Sequence, residues 1–249
     1  MTTDAALPPS RDDTRRLFAG LADDYERHAS WLSFGQDPRW KTALVAQMPV
    51  GPDAHVLDVA TGTAAIAARL VELRGCRVTG IDASPDMLDR ARRRLDERGL
   101  GDRIDLVEGD ARRLPFPDRT FDGLTVSYLL RYVQDPLATI SELVRVLKPG
   151  APLASLEFGV PPWAPARAAW RVYVAVGLPA AGSLAGPGWR RAGRFLARSI
   201  PEFYDRHPVP RLLELYAAGG LEGVTLRRMS LGGGNIIWGR RPGGAAQGG

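Results

Sequence analysis

The sequence predicts an α/β fold in which a mostly parallel β-sheet is covered by helices on both faces. Short apolar runs alternate with longer segments whose apolar residues recur at the helical period, a pattern typical of βαβ units. Acidic residues stand where three of the predicted strands end. Two strand-like segments near residue 230 are separated by glycines, which indicates that an antiparallel hairpin follows the parallel part of the sheet.

The predicted strands and helices follow one another in regular order. Strands are predicted over residues 55–60, 77–82, 104–108, 121–128 and 152–158. Helices are predicted over residues 64–74, 85–98 and 136–147, the second with Ser84 as its N-cap and Pro85 as its first residue. The hairpin is predicted to pair residues 224–229 with 235–239 across the glycines at 232–234.

We expect a single domain over residues 14–242. Residues 1–13 and 243–249 carry too little apolar surface to fold and are expected to be flexible. Residues 161–198 interrupt the alternation of strands and helices, and are expected to form a helical cap over the carboxyl edge of the sheet. The sequence has no apolar run of ~18 residues and no signal pattern at its start, which favours a cytoplasmic protein.

Composition limits the classes of partner. The 249 residues include 33 Lys and Arg against 28 Asp and Glu, a formal charge of +5. This charge suggests a polyanion, an anionic membrane surface, or only basic residues spread over a soluble surface. The aromatic residues are not interleaved with Lys in a stacking pattern, so we expect no nucleic-acid partner. A single cysteine, Cys76, excludes an intrachain disulfide, and the three scattered histidines do not suggest a metal site.

The ends of the first three strands carry a predicted nucleoside site. Small residues run from Asp58 to Ala64 and let backbone amides approach a ligand at a helix N-terminus. Asp82 stands twenty residues beyond Gly62, where an acidic side chain accepts both ribose hydroxyls. Asp110 is placed to accept a hydrogen bond from an adenine amino group, with the amide of Ala111 donating to the ring. The alternative is a plain strand–turn–helix with an exposed Asp.

The charge of this site selects among nucleoside cofactors. The stretch from Gly62 reads Gly-Thr-Ala-Ala-Ile-Ala, which departs from the dinucleotide pattern Gly-x-Gly-x-x-Gly. Three acidic residues without a phosphate-binding Lys favour a cationic nucleoside that lacks phosphate, and disfavour NAD and ATP. S-adenosylmethionine, with a sulfonium and an ammonium group, has this chemistry.

These motifs resemble the class I S-adenosylmethionine-dependent methyltransferases, and more narrowly the menaquinone/ubiquinone biosynthesis C-methyltransferases. The class is carried by DVATGT at 58–63, GIDASPDML at 80–88, GDARRLPFP at 109–117 and ELVRVLKPG at 142–150. The narrower match is carried by LSFGQDPRWK at 32–41, SYLLR at 127–131 and LARSI at 196–200. The resemblance runs from residue 18 to 241. It implies a seven-stranded Rossmann-like sheet with an antiparallel C-terminal hairpin and an inserted helical cap.

The resemblance also implies site residues. The positions that contact the cofactor in the family match Thr63, Asp82, Asp110, Ala111 and Ser127, and Asp58 and Gly62 complete the predicted cofactor-binding set. Two stretches depart from the family. Where the family usually has Gly-Thr-Gly-Asp, residues 62–65 read Gly-Thr-Ala-Ala, and Ala64 is expected inside the first turn of the helix. Where the family has Phe-Gly-Leu-Arg-Asn, residues 128–132 read Tyr-Leu-Leu-Arg-Tyr.

Arg131 and Tyr128 are the predicted catalytic residues. Arg131 lies in an otherwise apolar run, where a charge is costly unless it is solvated or paired. It is either a surface residue at a helix start or a group that faces the active site and stabilises a phenolate or quinolate oxygen. Tyr128 packs on the cofactor, on an aromatic substrate or in the core. Glu157, which ends the fifth strand, faces the pocket or caps a loop.

The predicted reaction is S-adenosylmethionine-dependent C-methylation of a prenylated quinol such as demethylmenaquinol. The alternative keeps the fold and cofactor but changes the acceptor to another small hydrophobic molecule, such as a phenol, a polyketide or a sterol-like compound. Residues 172–185 are uncharged and have arginines on both sides, so the cap fits either a membrane-facing surface or a solvated basic face. The flanking arginines are Arg167, Arg171, Arg190, Arg191, Arg194 and Arg198.

Overall fold

A computed structural model of the protein describes residues 25–243, so the predicted flexible segment 1–13 and most of the predicted tail lie outside the described residues. Within this range seven strands form one sheet, in the order β3-β2-β1-β4-β5-β7-β6. The strands are β1 His55–Val59, β2 Arg77–Asp82, β3 Ile104–Glu108, β4 Gly123–Ser127, β5 Pro152–Phe158, β6 Glu222–Met229 and β7 Gly234–Arg240. Strands β1 to β5 are parallel to their neighbours in this part of the sheet, and β7 runs antiparallel to both β5 and β6.

Nine α-helices are described between residues 25 and 243. They are α1 Tyr25–Leu32, α2 Gln36–Ala46, α3 Ala65–Arg74, α4 Pro85–Glu97, α5 Pro136–Arg145, α6 Ala164–Val172, α7 Leu178–Ala185, α8 Pro187–Arg206 and α9 Val209–Ala218. A π-helical turn, Tyr173–Gly177, joins α6 to α7. Helix α4 begins as predicted, with the Ser84 hydroxyl accepting a hydrogen bond from the backbone amide of Met87.

Helices cover both faces of the sheet and form two apolar layers. One layer packs Leu57 and Leu124 against side chains of α5 and α9, among them Ile140 and Tyr216. The other packs strand residues such as Val56 against α2, α3 and α4. Strand β4 and most of β5 are buried, which is why these strands are nearly continuous apolar runs in the sequence.

Several predicted boundaries are wrong, and three of them have a local reason. Strand β4 begins at Gly123 instead of Phe121, because Phe121 forms an isolated bridge with Leu147. The same bridge ends α5 at Arg145, two residues before the predicted end. Ala64 is not inside the first turn of α3: it precedes the helix with a φ of 57°, in the left-handed region that glycine adopts at least cost.

The inserted helical cap consists of α6, the π-helical turn, α7 and α8. Its last helix continues past the predicted limit of residue 198, to Arg206. The Trp189 ring lies 5.7 Å from that of Tyr25 in α1, and the Phe195 ring lies 5.6 Å from that of Tyr132, which follows β4. These contacts hold the cap at the carboxyl edge of the sheet. Among residues 25–243, no helix combines the length and apolar character needed to cross a bilayer.

Candidate active site

A cavity lies at the carboxyl ends of the first four strands. Its empty space is about 1210 Å³ when the open mouth is included. Its walls come from residues 59–63, 65–66, 81–84, 87, 109–112, 127–129 and 132–133, and from residues 25, 26 and 41 of α1 and α2.

Asp82 ends β2 and lies on the cavity wall. Its carboxylate accepts hydrogen bonds from the backbone amides of Gly62, at 2.8 Å, and Ser84, at 2.9 Å. Burial raises the pKa of Asp82, and these amide hydrogen bonds oppose that rise. Each carboxylate oxygen has two lone pairs, so Asp82 keeps acceptor capacity for a ligand hydroxyl while it fixes the turn after β1.

Asp110 and Ala111 follow β3 and lie on the same wall. Arg112 donates through Nε to both carboxylate oxygens of Asp110, at 3.0 and 3.1 Å, and through Nη2 at 2.6 Å. The structure therefore brings Asp82 and Asp110 to one cavity and adds a cation beside Asp110. Arg112 directly follows the predicted Asp110-Ala111 pair, but its role as a partner of Asp110 was not predicted from the sequence.

Gly62, Thr63 and Ser127 also lie on the wall, whereas Asp58 does not. The Asp58 carboxylate is fully buried and accepts hydrogen bonds from the hydroxyls of Thr61 and Thr125, both at 2.7 Å. Burial raises the pKa of Asp58 to about 6. Asp58 thus lies behind the predicted cofactor contacts, where it joins the turn after β1 to strand β4.

A buried charged cluster that the sequence analysis did not identify borders the cavity. Lys41 Nζ lies 3.0 Å from Glu26 Oε2 and 2.8 Å from Asp37 Oδ2. Glu26 also accepts a hydrogen bond from the Thr63 hydroxyl at 2.8 Å. Burial opposes ionisation of Glu26, but Lys41 and Arg94 hold its pKa below the usual value. The i, i+4 spacing of Asp37 and Lys41 is the signal that sequence reasoning could have used.

Tyr128 follows β4 with a φ of 55°, an uncommon conformation for a bulky side chain. Tyr128 is one of the residues that line the cavity, and its ring stacks on Phe158 with 4.4 Å between ring centroids. Its hydroxyl donates a hydrogen bond to Asp37 Oδ1 at 2.8 Å. Tyr128 therefore connects the cavity to the buried cluster of Glu26, Asp37 and Lys41.

Arg131 does not reach the cavity wall. It is 3% exposed, so it is not a surface residue either. Its Nε lies 3.4 Å from Glu157 Oε2, and its guanidinium carbon lies 5.1 Å from the centre of the Phe158 ring. Glu157 also accepts a hydrogen bond from the Leu130 amide at 2.9 Å, so it caps the loop after β4. This ion pair lies behind the cavity and shapes its wall.

The donor set fits S-adenosylmethionine. Three carboxylates, from Glu26, Asp82 and Asp110, lie on the wall with two cations, Lys41 and Arg112. Carboxylates suit ribose hydroxyls and the positive groups of the methyl donor. Apolar side chains such as Ile81 and Met87 line the same cavity and suit an adenine ring. Asp82 and Asp110 would hold the nucleoside, and Glu26 would face its cationic part.

Comparison with known proteins agrees with this chemistry. The model of the ubiE/COQ5 methyltransferase family matches residues 10–240. A demethylmenaquinone methyltransferase of Thermus thermophilus is 36% identical over 228 residues, which cover 91% of this chain and 100% of that protein. The ubiquinone/menaquinone biosynthesis C-methyltransferase UbiE of Desulfotalea psychrophila is 33% identical over 225 residues, 90% of this chain and 88% of that protein.

Solved structures agree on the fold. A SAM-dependent methyltransferase from Aquifex aeolicus superposes with a TM-score of 0.55 at 17% identity, over 82% of this chain and 89% of that one. Phosphoethanolamine N-methyltransferase 2 of Haemonchus contortus, solved with S-adenosyl-L-methionine, gives a TM-score of 0.65 at 15% identity, over 94% of this chain and 60% of that one. Since the family model covers nearly the whole chain, the protein belongs to the ubiE/COQ5 methyltransferase family.

Proposed function

We propose that this methyltransferase transfers the methyl group of S-adenosylmethionine to a ring carbon of a prenylated quinol such as demethylmenaquinol. The observation that carries the proposal is one cavity with two kinds of wall. Asp82 and Asp110 provide acidic groups at the strand ends, while Tyr128 and Tyr132 provide an aromatic surface after β4. The relatives named demethylmenaquinone methyltransferase support a quinol as the acceptor.

The residues of the acidic wall bind and orient the donor. Asp82 accepts the ribose hydroxyls, Asp110 and the Ala111 amide hold the adenine, and Thr63 and Ser127 complete the contacts. The bound donor supplies an electrophilic methyl group on a sulfonium. Arg112 neutralises Asp110 in the free protein, so a nucleoside shares this carboxylate with the guanidinium or displaces it. Fixing donor and acceptor in line supplies most of the rate enhancement.

The residues of the aromatic wall bind the acceptor ring and exclude water. Tyr25, Tyr128 and Tyr132 surround this part of the cavity, together with Leu129 and Val133. Arg131 acts as a positioning residue in this proposal, because its pairing with Glu157 fixes the loop that carries Tyr128 and Tyr132. A dry site strengthens the electrostatic contacts within it.

A test of the cofactor site replaces Asp82 with Ala. We expect this variant to lose S-adenosylhomocysteine binding in calorimetry, because the carboxylate binds the ribose and also fixes the Gly62 amide. Asp105→Ala is the matched control, since Asp105 is an exposed acid on the neighbouring strand β3 and is not part of the cavity wall. An unchanged affinity of Asp82→Ala would overturn the site assignment.

A second candidate acceptor is another small hydrophobic phenol. Tyr128 and Tyr132 favour it, because their hydroxyls stand where the family pattern has Phe and Asn. Incubation with labelled S-adenosylmethionine and either reduced demethylmenaquinone or a panel of phenols separates the two. Label on a quinol ring carbon supports the first candidate, and label only on phenols supports the second.

We further propose that the cap touches the membrane from the cytoplasmic side, where a prenyl tail is held. Val172, Val176 and Leu184 are 67%, 65% and 83% exposed on consecutive parts of the cap. Arg190, Arg191 and Arg194 are exposed at the start of the following helix, α8. Apolar side chains beside arginines are typical of segments that lie in the interface of an anionic membrane.

A further inference from the structure

We propose that Tyr128 and Asp37 form a proton relay that removes the hydroxyl proton of the acceptor, with Lys41 as the counter-ion of Asp37. The inference rests on the proposed function, since it concerns an acceptor that carries a phenolic hydroxyl. It assigns a chemical role to Asp37 and Lys41, two buried charged residues on α2.

The first support is the position of the Tyr128 hydroxyl. Tyr128 lies on the cavity wall, whereas Asp37 is 3% exposed and is not part of that wall. The 2.8 Å hydrogen bond from Tyr128 to Asp37 Oδ1 therefore joins the acceptor side of the cavity to a carboxylate that the acceptor cannot touch. A proton that leaves the acceptor reaches Asp37 through the hydroxyl of Tyr128 alone.

The second support is the charge around Asp37. Lys41 Nζ lies 2.8 Å from Asp37 Oδ2 and 3.0 Å from Glu26 Oε2, so one ammonium serves two carboxylates. A buried carboxylate is costly unless it is paired, and Lys41 supplies the pairing. Arg94 Nη1 lies 3.8 Å from Glu26 Oε1, so two cations balance the two carboxylates of the cluster, and Lys41 is the cation beside Asp37. The groups that face Asp37 are Tyr25 and Glu26 from α1, Lys41 from its own helix and Tyr128 from the loop after β4.

The third support is the rigid placement of Tyr128. Its left-handed backbone is uncommon for a residue other than glycine and persists only because the surroundings impose it. The ring stacks on Phe158, and the guanidinium of Arg131 also contacts that ring. Burial raises the pKa of Tyr128 well above its usual value. Tyr128 thus stays protonated between turnovers and passes a proton on without storing one.

The acceptor O–H proton moves to Tyr128 Oη while the Tyr128 proton moves to Asp37 Oδ1. The O–H electron pair stays on the acceptor and, through the ring, forms the new carbon–methyl bond. The bond that breaks is the C–S bond of the donor, whose electron pair stays on sulfur. The ring hydrogen then leaves as a proton when the ring regains its hydroxyl, and Asp37 releases its own proton to water, so one proton is released per turnover.

The test uses the whole protein, reduced demethylmenaquinone and S-adenosylmethionine. Tyr128→Phe keeps the ring on Phe158 and removes the relay. We expect kcat at pH 7 to fall at least about 100-fold, the usual contribution of general base catalysis. Affinity for S-adenosylhomocysteine should stay within about twofold. Without the relay only an ionised acceptor reacts, so kcat of the variant should rise about tenfold per pH unit, while that of the wild type rises less.

Asp37→Asn is the second variant, because an amide still accepts the Tyr128 hydrogen bond but binds no proton at neutral pH. The double variant should be no slower than either single variant, since residues that act as a unit give non-additive losses. Tyr204→Phe is the matched control. It removes another buried phenol, which donates to the Phe158 carbonyl at 2.6 Å outside the cavity wall, and it should leave the pH dependence of kcat unchanged.

Two results would overturn the relay. One is a Tyr128→Phe protein with the kcat and pH profile of the wild type. The other is multiplicative losses in the double variant, which would show that Tyr128 and Asp37 act independently. If Asp37→Asn does not fold, Tyr128→Phe decides alone. A wild-type protein that methylates no quinol contradicts the proposed function instead, so the two failures are distinct.

Discussion

Asp58 illustrates how a single buried carboxylate organises the cofactor turn. Hydroxyls of Thr61 and Thr125 donate to its two oxygens, which connects the turn after β1 to β4. These hydrogen bonds do not fully offset the loss of water, since burial raises the pKa of Asp58 to about 6. The turn that holds Gly62 and Thr63 therefore includes a carboxylate that resists ionisation.

This pKa makes stability depend on pH in a predictable direction. Between about pH 4 and 6 the folded protein holds a proton on Asp58 that the unfolded chain has released, so this group's contribution to stability falls as pH rises. The full effect is about 3 kcal/mol at neutral pH, from a rise of about two pKa units. Compared with Asp58→Asn, the wild type should lose stability progressively from pH 4 to 7 in urea unfolding. Parallel pH profiles of the two proteins would contradict the raised pKa.

Close backbone contact holds the cap together at the scale of its helices. A side chain on Gly193 of α8 would approach the backbone oxygen of Leu178 to 2.9 Å, and one on Gly182 of α7 would approach that of Trp189 to 2.6 Å. Backbone atoms cannot move aside as a flexible side chain can. The two glycines thus set the distance between α7 and α8.

Gly193→Ala should therefore loosen the cap. We expect a loss of about 1–3 kcal/mol, the usual cost of overpacking, and faster hydrogen exchange confined to α7 and α8. Gly51→Ala is the matched control, because a side chain there meets no atom within 4 Å and its φ is not positive. Equal exchange in the two variants would mean that the helices separate without cost.

The order of strands and helices was predictable because each strand is a short apolar run with a distinct end. The family comparison confirms the predicted class, cofactor and fold. Prediction was weaker where contacts between residues far apart in the sequence determine where a strand or helix begins or ends. The bridge from Phe121 to Leu147 shortened two elements, and no local pattern specifies it.

The residues of the candidate site likewise include some that were predictable from the sequence and some that were not. Asp82 and Asp110 were predictable, because parallel strands bring their carboxyl ends to one edge. The pairing of Lys41 with Glu26 was not, since Glu26 lies fifteen residues away on another helix. Arg131 was expected either in the active site or at the surface, but its pairing with Glu157 across 26 residues places it behind the wall. Its role remains a prediction for experiment.

At the scale of the whole molecule, charge and exposed apolar side chains combine on the cap. The net charge of +5 gave no specific partner on its own, but exposed arginines on α8 follow the exposed Val176 and Leu184. A membrane-facing cap should bind anionic vesicles and release them as salt rises, because screening weakens its arginines.

A paired substitution tests this surface. Val176→Ser with Leu184→Ser should reduce cosedimentation with vesicles of phosphatidylcholine and phosphatidylglycerol several-fold, while S-adenosylhomocysteine affinity is retained. Leu73→Ser is the control, since Leu73 is 56% exposed on α3, which is not part of the cap. Equal vesicle binding by both variants would exclude the cap as the contact surface.

The strand order also has a consequence for how the chain is made. Strand β5 has β4 on one side, but its other neighbour, β7, ends at Arg240. The ribosome must add about 80 residues after β5 before β7 exists, which takes roughly 4–16 s at typical synthesis rates. During that time β5 presents an unpaired edge and side chains that are buried in the folded protein. Such a surface promotes aggregation. Newly made chains should therefore depend on a chaperone most strongly in the interval between the synthesis of Phe158 and that of Arg240.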